Sequence, residues 1–451
     1  MSTRTVTRRK SSTRPDVTAE FPFTEKDVEA ISERLGESEK LLALRRKAWD
    51  FYKGMPMPTL KDEAWRRTDI RSLPSDAINL SGVNGQAVDK NLMQPLAGEK
   101  HGALLLLQPG KAPQLDLDAD LAKDGVIFVD WGTAVRDHAN LLLKHAGKVV
   151  PPKDGKFAAL ATAMAEEGVF VYVPSGVQLE APLHSVLWAP GEGQIFFSRV
   201  LVVVEEGASL TFVHEAASPT SPEGEAIHVS LVELSLADDA RLQFVELQNL
   251  GEHVWNISHE RATVGRDGRL EWVFGAVGSH LTKTFSDIDL RGEGAEGRMS
   301  GFYFADGQQH LDHDTQQNHF AANTTSDLLY KGALIEKSRS VWQGMIYVAP
   351  GAQKTDGYQA NRNLVLSKQA RADSIPGLEI MADDVRCTHG ATVSQLEEEP
   401  IFYLMSRGLP RREAERMVID GFFGQIMERI PFEGVRERFQ GMIDSKLGTE
   451  L

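Results

Sequence analysis

The chain has 451 residues, 41% of them apolar, a formal net charge of −15 and one cysteine, Cys387. That length allows two or three domains and a large core, and the apolar content excludes bulk disorder. The acid excess argues against nucleic acid and anionic membrane as partners, and a lone thiol excludes an internal disulfide or a self-contained cysteine-rich metal site.

No apolar run approaches the roughly 18 residues that a membrane helix needs. A single unpaired thiol fits a reducing compartment, so a cytoplasmic location is expected. Residues 1–14 carry Arg4, Arg8, Arg9, Lys10 and Arg14 among Ser and Thr without an acid. They have no apolar face and no signal-peptide core, so residues 1–20 read as a disordered tail.

From Glu25 to Tyr52 apolar residues recur at helical spacing, through Val28, Ile31, Leu35, Leu41, Leu44, Ala48 and Phe51. Gly54-Met55-Pro56-Met57-Pro58 stops the pattern, and a short helix is expected around Lys61 to Trp65. After an ambiguous, turn-rich stretch over 75–100, strands are expected at Ala103–Leu107 and Val126–Val129, and helices at Asp137–His145 and Phe157–Glu167. Residues 21–165 thus form a helical and mixed region. At Gly168 the character changes to a succession of short β segments that no helix interrupts.

Within that succession Ala208-Ser209-Leu210-Thr211-Phe212-Val213 matches Ala240-Arg241-Leu242-Gln243-Phe244-Val245 and Gly268-Arg269-Leu270-Glu271-Trp272-Val273, with a poorer copy at Gly297-Arg298-Met299-Ser300-Gly301-Phe302. Each copy opens on a small residue and then alternates polar with large apolar side chains, so one face points inward. Units about 30 residues apart that cannot bury their faces alone predict a stacked solenoid over 166–396. A sandwich or barrel is the alternative. After Pro400 helices return, over Phe402–Arg407, a stripe of Met417, Ile419, Phe422, Phe423, Ile426, Met427 and Ile430 that Pro431 closes, and Val435–Leu447. Residues 397–451 form this last helical domain.

Three motifs bear on chemistry. Gly292-Glu293-Gly294-Ala295-Glu296-Gly297 satisfies GxGxxG, but a strand follows it where a dinucleotide fold needs a helix, so it reads as a turn. No P-loop, HExxH or GxSxG exists, so no nucleotide site and no common hydrolase site is expected. His310-Leu311-Asp312-His313-Asp314, with His319 beyond, is the richest polar cluster. On a strand His310, Asp312 and Asp314 share one face and His313 takes the other, giving either a metal set or a hydrogen-bonded ladder at the solenoid surface or a subunit contact. Cys387 and His389, two apart, project from one strand face and supply half of a four-coordinate site, or else a buried thiol and a structural imidazole. Arg386 beside them is expected to lower the thiol pKa.

Tyr330-Lys331-Gly332, Val341-Trp342-Gln343-Gly344, Lys354-Thr355-Asp356-Gly357 and Asn361-Arg362-Asn363-Leu364 stand in that order. Pro376-Gly377-Leu378-Glu379-Ile380 and the block from Ala382 to Val393 follow, and Met57-Pro58 with Glu63-Ala64-Trp65-Arg66 precede. In these blocks the chain resembles the SufB/SufD family of iron–sulfur cluster assembly scaffolds over most of residues 55–445. The last block has the form of the SufD branch, with Gly390 where SufB members carry a glutamate beside the equivalent histidine.

The resemblance implies a mainly β fold, a right-handed parallel β-helix core flanked by N-terminal and C-terminal helical regions. It implies a non-catalytic scaffold in a SUF complex with a SufB-like paralogue and SufC-type ATPases, the ATPase docking after Pro400, or a homodimer when the chain is isolated. It further implies a transient Fe–S cluster shared with the SufB-like partner, with His389 and Cys387 as candidate ligands at that contact, and help with iron acquisition. A β-helix enzyme acting through Asp312, His313 and Asp314, and an inert bridging solenoid, remain as alternatives.

Overall fold

The structure is a computed structural model that describes residues 18–448, apart from 19, 77, 81–86, 95–101, 119–120, 122, 222–223 and 431. The basic stretch over residues 1–14 and the helix stop expected at Pro431 lie outside the described residues. The chain opens on α1 (Glu25–Leu35) and α2 (Glu39–Gly54). The sequence reads as one continuous helical stretch here, but Gly36 adopts φ 69° and closes α1, while Ser38 caps α2. Trp65 ends a short 3-10 turn.

The strands follow as β1 (Asn79–Leu80), β2 (Ala103–Leu107), β3 (Gln114–Leu117) and β4 (Ile127–Asp130). Next come α3 (Trp131–Asp137), α4 (Ala139–His145) and α5 (Lys156–Met164). The solenoid proper runs through β5 (Glu167–Val173), β6 (Leu183–Trp188), β7 (Gln194–Val204), β8 (Ser209–Ala217), β9 (Ala226–Leu236) and β10 (Arg241–Asn249). It continues through β11 (Val254–Val264), β12 (Arg269–Ala276), β13 (Leu281–Leu290), β14 (Glu296–Ala305) and β15 (His310–His319). Its last strands are β16 (Thr325–Leu334), β17 (Arg339–Val348), β18 (Asp356–Val365), β19 (Arg371–Ile380) and β20 (Arg386–Ser394). Helices α6 (Glu398–Ser406), α7 (Arg411–Met427) and α8 (Glu433–Gly448) end the chain.

Odd-numbered strands from β5 to β19 stack in one parallel sheet and even-numbered strands from β6 to β20 in the other. Each strand pairs with the one two ahead, the signature of a β-solenoid, here of about eight turns. The repeat detected in sequence is this stacking: Leu210, Leu242 and Leu270 are in register, as are Phe212, Phe244 and Trp272. Those side chains form a column inside the solenoid.

The fourth copy is corrected by two residues. Gly297 pairs with Leu270 and Met299 with Trp272, so Ala295 is the small residue at the turn. A slip of two keeps the same face inward, so alternation alone cannot detect it. Gly297 is bare because Ile288 Cγ2 would lie 2.9 Å from a Cβ there. The GxGxxG stretch is a turn into β14, with Gly294 at φ 73°.

The outer face of each sheet is covered by helices. Helix α5 and the segment around Trp65 pack on Ile227, Val229, Trp255 and Ile257 of the first sheet. Helices α7 and α8 lay Ile419, Phe423, Ile426, Phe439 and Ile443 on Val245, Val273, Phe302 and Leu329 of the second. Most of the apolar stripe over 417–430 is therefore core.

Candidate functional site

The two ends of the solenoid differ. At the N-terminal end β3 and β4 close the two sheets with antiparallel pairing. At the C-terminal end β19 and β20 each pair on one side only, and their other edges are unpaired among the described residues. Their side chains are exposed or half-buried throughout, whereas β17 and β18 one turn back are mostly buried. Leu378, Ile380, Met381 and Val393 are exposed apolar residues at this end. Pro376, without an N–H, is tolerated in β19 because the strand is terminal. A strand edge with an apolar fringe is a template for another chain.

Cys387 and His389 both lie on β20, opposite Gly357 and Gln359 of β18. The side chains of Gln359 and Asn361 are buried inside the solenoid, so residues 387 and 389 project on the same inward side, over its open end. Cys387 is half-buried against Ile346, Val348 and Ala352, and His389 is exposed. Gly357 makes the seat for the thiol: a Cβ there would lie 3.3 Å from Cys387 Sγ, 3.3 Å from Ile346 Cγ2 and 3.5 Å from His319 Nε2. His319 is no spare ligand, because its ring nitrogens bond Thr324 at 2.8 Å and Ser326 at 2.9 Å.

Burial pushes the Cys387 thiol pKa up, against a backbone hydrogen bond from Gly357, and Asp356 adds to the rise. The expectation that Arg386 activates the thiol is therefore overturned. The Arg386 side chain is 82% exposed and pairs with Asp356 at 3.5 Å, because neighbours on a strand point to opposite faces. Among the described residues no group of three His, Cys, Asp or Glu side chains is placed to hold a metal ion. The pair on β20 thus offers one thiol and one imidazole and no third protein ligand.

The His310–Asp314 cluster lies elsewhere. His310 and Asp312 face outward but are roofed by the N-terminal segment, where Thr68 bonds both side chains. Lys283, fully buried, pairs with Asp312 at 3.0 Å. His313 points inward, bonded to Thr284 at 2.9 Å and stacked on Tyr303. The cluster is a ladder beneath a covering segment of the same chain, not a solenoid surface.

Sequence reasoning missed a second exposed patch, on α6. Phe402, Tyr403 and Met405 are exposed there, joined by Met417 of α7. The legible signal was two adjacent aromatics on a nine-residue helix, since neighbouring positions cannot share one buried face.

Comparison with known proteins agrees with this architecture. The family profile described as "SUF system FeS cluster assembly, SufBD core domain" matches residues 187–422, and "SufBD protein N-terminal region" matches residues 25–184. The chain belongs to the SufB/SufD family. It is 31% identical over 426 residues to the iron–sulfur cluster assembly protein SufD of Bacillus subtilis, covering 93% of this chain and 97% of that one. It is 30% identical over 433 residues to SufB of the same organism, covering 92% and 91%. A SufBD family protein of Staphylococcus haemolyticus matches at 30% over 427 residues, covering 92% and 91%. The family names indicate involvement in iron–sulfur cluster assembly. No helix among the described residues is long and apolar enough to cross a membrane.

Proposed function

We propose that the chain is a non-catalytic scaffold subunit of a cytoplasmic SUF complex, and that its C-terminal solenoid end is completed by a SufB-like paralogue. The observation that carries this is the side-by-side projection of Cys387 and His389 from a terminal strand whose outer edge is unpaired among the described residues. Two donors cannot satisfy the iron of a cluster, so the remaining ligands come from the partner across that edge. The nascent Fe–S cluster is cargo here, assembled between the two subunits and then released. A raised thiol pKa keeps Cys387 protonated in the lone chain, and iron would displace that proton.

SufC-type ATPases dock on the exposed aromatics of α6 in this reading, and ATP is handled by them alone. Their movement is transmitted through α7 and α8, which are packed on the second sheet, and opens the subunit contact so that iron reaches Cys387 and His389. The same edge lets two isolated copies pair as a homodimer. Residues 21–165 and 397–451 are taken as the helical regions, and iron acquisition as part of the role.

The test is cluster yield on the reconstituted complex with His389→Ala and Cys387→Ala, read as protein-bound iron and sulfide. Both variants should assemble the complex normally and give several-fold less cluster. An unchanged yield from an intact complex would remove the residue concerned from the mechanism.

A further inference from the structure

A cavity of about 350 Å³ opens between α2, the end of α5 and the loop over residues 146–153, and none of the residues proposed above for cluster or ATPase contact lines it. Leu41, Leu44 and Phe51 stand three and seven residues apart and so share one side of α2. With Pro151 and Pro152 they give the cavity an apolar wall. Trp131 of α3 and Arg199 of β7 also line it.

The charges around it do not balance. Glu37 is the one acid lining it among the described residues, and its two oxygens accept from Arg45 Nε at 2.8 and 2.7 Å. The remaining nitrogens of that guanidinium donate to the carbonyls of Ala163 and Ala165. Lys47, Lys148 and Lys153 line the cavity too, are exposed, and pair with no carboxylate among the described residues. A chain with a net charge of −15 thus sets three uncompensated ammonium groups around one apolar cavity.

Arg199 is the second observation, and it is independent of the lysines. Its side chain is buried, at 5% exposure, and lies over the Trp131 ring with Cζ 5.2 Å from the centroid. It donates to Glu233 through Nε, at 2.9 Å, and through Nη2. That edge-on pairing leaves Nη1 on the far edge of the fork with no acceptor among the described residues. Glu233 has no capacity to spare for it, because it also accepts from the backbone N–H groups of Gly147, Val149 and Val150. Trp131 Nε1, a second buried donor of the same wall, lacks an acceptor as well. Buried donors without acceptors are uncommon and call for a partner.

We propose that this cavity binds an organic anion with an apolar body, a carboxylate of the medium-chain class. Its chain lies along Leu41, Leu44 and Phe51, and its carboxylate accepts from Arg199 Nη1, a charge-assisted bond of the strong kind. The lysines at the surrounding wall raise the local concentration of anions and hold the complex at low salt. A volume at the small end of ligand sites, mostly apolar walls and few polar groups are what such a ligand needs.

Titration calorimetry of the full chain with octanoate tests this, with octanol and inorganic phosphate as comparisons. Saturable binding of octanoate is expected, at least tenfold tighter than octanol, which lacks the charge, and than phosphate, which lacks the apolar body. Arg199→Lys keeps a cation for Glu233 but removes Nη1, and should weaken octanoate at least tenfold. Leu44→Asp puts a carboxylate on the apolar wall at an exposed position, should weaken it as much, and serves if the first variant unfolds. No saturable binding of octanoate, octanol or phosphate bound as tightly, or undiminished affinity in either variant with its circular dichroism unchanged would overturn the proposal.

Discussion

Phe402 and Tyr403 of α6 are 72% and 56% exposed, and their neighbours on α7 leave them unpacked. Side chains of this size present about 200 Å² each, so roughly 140 and 110 Å² face solvent. At about 25 cal/mol per Å², complete cover by a docked ATPase would contribute roughly 3 kcal/mol per ring. Incomplete cover, the Tyr403 hydroxyl and lost rotamer freedom reduce this to about 1–2 kcal/mol each. The double variant Phe402→Ser, Tyr403→Ser should therefore bind a SufC-type ATPase about thirty-fold or more weakly. Fluorescence anisotropy of labelled ATPase titrated with each chain reads this directly. Neither ring is in the core, so the urea midpoint of the variant should stay at the wild-type value. An affinity within twofold of wild type, with the fold intact, would refute α6 as the docking element.

Further tests probe the solenoid itself. Burial lifts Glu260, inside the solenoid, to about 7 from an ordinary 4.5. The folded chain binds that proton more tightly than the unfolded one, so the contribution is full below about pH 4.5 and is lost as pH rises through 7. Glu260→Gln should lie close to wild type in urea at pH 5 and be the more stable of the two at pH 8. Lys283→Met strands Asp312 without its cation where both side chains are fully buried. It should cost about 3–5 kcal/mol by urea unfolding, most of it recovered by adding Asp312→Leu. Gly357→Val crowds the Cys387 seat, so iodoacetamide should alkylate the thiol faster than in wild type, at a stability cost of about 1–3 kcal/mol.

The solenoid was legible because its physics is periodic. Leu210, Leu242 and Leu270 repeat because each must fill the same column one turn apart, and a repeated environment writes a repeated residue. The break at Gly36 was harder to see, since apolar positions keep helical spacing on both sides and only one glycine marks the turn. The Cys387–His389 pair could be placed on one strand face from spacing alone. Its exposure could not, because burial depends on whether another turn stacks beyond β20, and residue types on β20 resemble those of covered strands. The opposite error befell Asp312 and Asp314. Alternation gave their face correctly, yet Thr68, some 240 residues earlier, covers that face, and no local pattern reports such a contact.

The asymmetry of the two solenoid ends explains why the candidate ligands lie where they do. Inside the stack, one histidine is satisfied from turn to turn: Ser198 bonds His228 at 2.8 Å and His228 bonds Asn256 at 2.8 Å. Both ring nitrogens of His228 are bonded by the neighbouring coils, and burial pushes its pKa down to about 4. A histidine so held is a poor ligand for incoming iron, since binding must first break those bonds. His389 has no following coil to satisfy it, and Cys387 is covered on one side only. Ending the stack at β20 therefore leaves both donors available at the position where a partner strand can add. A capping turn beyond β20 would satisfy them internally and stabilise the chain, and it would remove the site.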